Sequence, residues 1–130
     1  MHNQFFECNG FCFQTIALQP EAFIGALSAS DLAKLKVACE GIANAFVDGS
    51  PPVRSRLARG AKLHDLFVIY VDWPWSPGPT RMLLGRRVGS RVLVARGLKR
   101  SDGDIPKDEV KRAERALAEA EDDGATEGGA

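Results

Sequence analysis

A chain of 130 residues, 45% of them hydrophobic, has the material for one domain with a modest core, whereas two domains would each bury too little surface. Its 17 basic and 17 acidic residues cancel to a formal charge of 0, which excludes a protein that is basic or acidic throughout. No apolar run approaches the roughly 20 residues that a membrane span requires, and the first residues lack the basic and then apolar succession of a secretory leader, so no membrane partner and a cytoplasmic location are expected.

In chain order, residues 4–8 and 11–16 read as a hairpin about Asn9-Gly10, a strong two-residue turn signal that would pair Cys8 with Phe11 and Glu7 with Cys12. Alternation along a strand then puts Cys8 on a face with Phe6 and Phe13 and turns Cys12 away, so the two thiols cannot bond each other. Cys8, Cys12 and Cys39 match no common zinc spacing and read as small apolar residues kept reduced; neither metal nor cofactor is expected.

Gln19-Pro20 leads into a short helix over residues 21–27. Ser28 can cap a second helix, on which Leu32, Leu35, Cys39, Ile42 and Phe46 recur at spacings of 3, 4, 3 and 4 and form one core stripe that Gly49 can end. Ser50-Pro51-Pro52 breaks the pattern, and Val53 to Lys62 reads as a turn or short irregular segment. Leu66 to Val71 is a continuous apolar, β-favouring run, as in a strand buried on both faces. Residues 73–79 hold three prolines and form a loop. Residues 80–87 and 91–98 read as two strands joined at Gly89-Ser90. Pro106 suits the first turn of a last helix, with Val110, Ala113 and Leu117 on one side. Residues 1–120 make the domain, and 121–130 an acidic, glycine-rich disordered tail.

The cancelling charges are not mixed. Residues 54–100 hold 11 basic side chains against Asp65 and Asp72 alone, while residues 101–130 are strongly acidic. A compact positive block attracts polyanions, so nucleic acid, or an acidic protein covering the same face, is the expected partner.

Two stretches carry a resemblance. Val92-Leu93-Val94-Ala95-Arg96-Gly97-Leu98-Lys99-Arg100, followed by Ile105-Pro106-Lys107-Asp108-Glu109-Val110, and more weakly Leu63-His64-Asp65-Leu66-Phe67 with Thr80-Arg81-Met82-Leu83-Leu84, resemble motifs of the RelE/ParE toxin superfamily in its HigB-like, phage-derived host-inhibition branch. There the first stretch reads as an apolar strand, His-Gly-Phe, a Lys-Lys pair and Thr-Pro-Lys-x-Glu-Ile. The resemblance implies an α+β fold in a compact single domain: an N-terminal strand or hairpin, two helices, a three-stranded antiparallel sheet and a C-terminal helix. It also implies the toxin of a type II toxin–antitoxin system, a metal-independent, ribosome-dependent mRNA endonuclease neutralised by a cognate antitoxin of helix-turn-helix type. The alternative is a non-catalytic growth inhibitor of the same superfamily, either of the gyrase-poisoning type or an inactive relative that binds RNA or a host protein.

Metal-free RNA cleavage needs a base for the 2′-OH, an acid for the leaving 5′-oxygen and cations around the phosphorane. Position by position, the resemblance places Arg81, Arg96, Lys99 and Arg100 at the catalytic spot, gathered in one concavity. Arg96 stands where many relatives have histidine. It can stabilise charge but cannot accept a proton, so Lys99 is the first candidate for the base and His64 the second. Phe67 replaces an arginine of the family pattern, which removes a cation. Arg54, Arg56, Arg59 and Lys62, with Arg86, Arg87 and Arg91, are expected to lie along an RNA backbone. Trp73 and Trp75 could stack on bases, touch an antitoxin or pack as a turn.

Overall fold

In the computed structural model, which describes residues 2–49, 55–58, 65–73, 77–101 and 105–128, with side chains at all of these but 55–57 and 121–128, the elements follow in the order β1 (Asn3–Cys8), β2 (Phe11–Thr15), α1 (Leu18–Gly25), α2 (Ala29–Asp48), β3 (Ser55–Leu57), β4 (Phe67–Tyr70), β5 (Thr80–Val88), β6 (Arg91–Arg100) and α3 (Lys107–Gly128). The class is α+β, as expected. Among the described residues the strands form one mixed sheet in the order β1-β2-β6-β5-β4-β3.

This corrects the expected separate hairpin and three-stranded sheet. β2 runs parallel to β6, with Cys12 opposite Arg91 and Thr15 opposite Val94, and every other neighbouring pair is antiparallel. A parallel pair needs a long crossover, and α1, α2 and β3 to β5 lie within it. The expected turn or irregular segment about Val53–Lys62 is corrected at Ser55–Leu57, which pairs with β4 and satisfies backbone groups that would otherwise form an open edge.

Local chemistry explains the elements. Asn9 (φ 52°) and Gly10 (φ 83°) both take the left-handed conformation that a tight hairpin turn demands, and the register is Cys8 to Phe11 and Glu7 to Cys12. The Ser28 side chain accepts from the Asp31 N–H at the start of α2, and Gly49 (φ 71°) ends it. Helix α1 begins earlier than expected, at Leu18, because Pro20 falls in the first turn, where an N–H has no partner in any helix. At the other end α3 continues to Gly128. Extending an existing helix carries no nucleation cost, so the segment is helical in spite of the low helix propensity of Asp122, Asp123, Gly124 and Thr126. Among the described side chains, Ala120 is the last that α3 buries.

Two apolar layers enclose the sheet. On one face Phe13, Phe67, Ile69, Leu83, Val92 and Val94 meet Ile24 of α1 and Leu35, Cys39 and Ile42 of α2. On the other Val68, Tyr70, Met82, Leu84, Leu93 and Leu98 meet Val110, Ala113 and Leu117 of α3. β4 alternates between the two layers and is buried along its whole length. Phe67 thus belongs to the core, 6.1 Å from the Phe46 ring.

Candidate functional site

The sheet decides where each expected cation goes. Across β5 and β6, Arg81 opposes Lys99, Leu84 opposes Arg96 and Thr80 opposes Arg100. Directly opposed residues share a face and neighbours along a strand alternate. Arg81 and Lys99 therefore stand on the α2 side, with Leu83, and Arg96 and Arg100 on the α3 side, with Leu84. The expectation of one concave cluster is corrected: the four split two and two across the sheet.

Two of the four are also engaged by carboxylates of their own chain. Arg81 donates from Nε to Asp72 Oδ2 (2.9 Å), from Nη2 to Asp72 Oδ1 (3.0 Å) and from Nη1 to Asp31 Oδ2 (2.8 Å), and its backbone N–H adds a bond to Asp72 Oδ2 (3.0 Å). Only 23% of its side chain is exposed, so these bonds replace much of its hydration. The Arg81 guanidinium, assisted by the Ser28 hydroxyl, holds Asp31 well below the usual carboxylate range; Arg81 likewise lowers Asp72, and the two aspartates raise Arg81 in turn. Lys34 approaches the same cluster at 3.6 Å from Asp31 Oδ1.

Through the other face, Arg96 Nε donates to Glu109 Oε2 (2.6 Å), and Arg112 donates to Glu109 Oε1 (3.0 Å). Glu109 stands in the first turn of α3. It ties α3 to β6.

The remaining cations disperse. Arg86 pairs with Asp65 at 2.8 Å, so both acids of the basic block are committed to arginines of that block. Arg87 lies over the rings of Phe11 (4.7 Å) and Phe46 (4.8 Å) and donates to the Gly89 carbonyl, a cation–π arrangement at the edge of the core. Arg91 is half-buried at the start of β6, opposite Val88. Lys99 is exposed and has no ion-pair partner among the described residues. Arg100 is half-buried and Trp73 half-buried, each with an interaction of its own. Arg54, Arg59, Lys62, His64 and Trp75 lie outside the described residues, as does the side chain of Arg56, whose backbone belongs to β3.

Asp31, Asp72 and Glu109 are the residues that sequence reasoning passed over as partners of the cations. A signal existed for Asp72, one of two acids in a basic block and nine residues before Arg81 across a strand connection. None existed for Asp31, which is fifty residues away along the chain.

Among the described residues no group of three His, Cys, Asp or Glu side chains could hold a metal ion, and no helix is long and apolar enough to cross a membrane. Comparison with known proteins finds no matching family model, no matching curated protein and no matching solved structure.

Proposed function

We propose that this chain is the toxin component of a type II toxin–antitoxin pair, RelE/ParE-like in its HigB-type branch, and that it restrains growth by binding RNA or the translation machinery without cutting. The motifs of β6 and the start of α3 support the family reading, as does the succession of hairpin, two helices, antiparallel strands and terminal helix. The observation that carries non-catalytic action is the placement of Arg81 and Arg96, which lie on opposite faces and are each held by carboxylates of the same chain. Catalysis of phosphodiester cleavage requires cations aimed together at one developing charge, and these two are aimed apart. A helix-turn-helix antitoxin is the expected neutralising partner.

A pulse of expression in a bacterium, with and without the adjacent gene, tests the proposal. The expected result is growth arrest with intact transcripts and co-sedimentation with ribosomes; unaffected growth would overturn it. DNA damage during arrest would point instead to gyrase as the target.

One observation favours the metal-independent endoribonuclease. Lys99 is exposed directly opposite Arg81, where its side chain could reach an RNA ribose beside a phosphate. That reading requires codon-linked shortening of messages, lost in Lys99→Ala.

A further inference from the structure

On the α2 side of the sheet, Arg81 engages two carboxylates, Asp31 and Asp72, Lys34 approaches Asp31, and Lys99 stands opposite Arg81 on β6. Asp72 takes Arg81 through Nε and Nη2, the same fork with which a guanidinium grips two oxygens of a phosphate. Asp31 takes the remaining Nη1 from the first turn of α2. The two carboxylates thus occupy the donor directions that a phosphodiester would use, and Lys99 stands opposite Arg81 on the neighbouring strand. Without the carboxylates, the Arg81 fork and Lys34 would be left facing one half-exposed place, on the face of the sheet that Lys99 shares.

We propose that Asp31 and Asp72 are an intramolecular mask, competing with the phosphodiester oxygens of single-stranded RNA for Arg81 and keeping an anion site of Lys34, Arg81 and Lys99 weak until they are displaced. This rests on the reading above that the chain works on RNA. The mask spans two elements, α2 and the connection between β4 and β5, so releasing Arg81 also unties α2 from the sheet at that end. Parting the helix from the strand removes Asp31 and frees Nη1 of Arg81, which strengthens RNA binding in part, and RNA at the site favours that parting.

The test uses the full chain and a fluorescein-labelled single-stranded RNA oligonucleotide, with affinity read by anisotropy over a series of salt concentrations. Asp31→Asn/Asp72→Asn is compared with Asp108→Asn/Glu119→Gln, which removes the same charge from the exposed side of α3. The unmasked variant should bind about tenfold or more tightly than that control, the range expected for a regained charge-assisted contact. Its salt dependence should steepen by roughly 0.7 in log–log slope for each extra phosphate engaged. Adding Arg81→Gln should abolish the gain. Asp72→Asn alone should give part of it, which guards against a double variant that folds poorly.

Equal binding by the unmasked and control variants overturns the mask, as does a gain that survives Arg81→Gln. Wild-type expression without growth arrest overturns the toxin reading alone, since the affinity comparison does not depend on toxicity.

Discussion

Gln19 and Gly97 exchange two hydrogen bonds of 2.8 Å: the Gln19 amide donates to the Gly97 carbonyl and its oxygen accepts from the Gly97 N–H. β2 ends at Thr15 while β6 continues to Arg100, so past that point the β2 side of β6 is left without a described strand, and a side-chain amide takes over the backbone pairing there. Gln19→Ala leaves a donor and an acceptor without partners. It should lower stability by about 1–3 kcal/mol in urea unfolding.

The same position explains why β6 has a glycine there. A Cβ on Gly97 would lie 2.4 Å from Cγ of Phe23 and within 3 Å of two further atoms of that side chain. Gly97→Ala should therefore cost about 1–3 kcal/mol through overpacking. Gly97→Ala combined with Phe23→Leu should recover part of the loss, and a double-mutant cycle in thermal unfolding measures the coupling.

Acid should weaken the fold through the Arg81 cluster. Asp31 and Asp72 both have folded pKa values below the ordinary aspartate value of about 3.9, so their stabilisation is complete above that value and is lost as pH falls through it toward the depressed folded values. Melting temperature should be flat from pH 7 to about 5 and decline below about 4. In Asp31→Asn/Asp72→Asn that decline should be shallower.

Removing the cation is a different experiment from removing its partners. Arg81→Ala leaves two half-buried carboxylates facing each other without compensation and should destabilise by about 1–3 kcal/mol, less than for a fully buried pair. Loss of toxicity in Arg81→Ala therefore has to be read beside its melting curve. Arg81→Lys keeps the charge while losing the fork, and should fall between the two in stability.

The thiols should differ in reactivity. Cys39 is fully buried, and burial pushes its pKa far above the ordinary thiol value, whereas Cys8 and Cys12 are half-buried on the hairpin. A disulfide-exchange reagent should titrate at most two thiols in the native protein and a third only on unfolding.

How far these features were legible in the sequence depends on their range. The hairpin register, the Ser28 cap, the stripe on α2 and its glycine stop depend on residues a few positions apart, and the structure has them where the local pattern put them. The pairing of β2 with β6 joins residues from opposite ends of the domain, and no local period records it. The site was misjudged for a simpler reason. Lys99 and Arg100 are neighbours on one strand, so alternation alone sends them to opposite faces, whereas a count of charge treats them as one patch. The carboxylates that neutralise Arg81 and Arg96 come from α2, a loop and α3, contacts made only once the three layers have assembled.

The parallel pairing of β2 with β6 also sets a timetable for synthesis. The hairpin leaves the ribosome well before β6, with the edge of β2 bare, and waits through α1, α2 and β3 to β5 until β6 emerges to cover it. Closing so distant a contact is slow compared with forming the helices between. A nascent chain stalled before Val94 would carry an uncapped strand rich in phenylalanine, the state most exposed to chaperones and proteases.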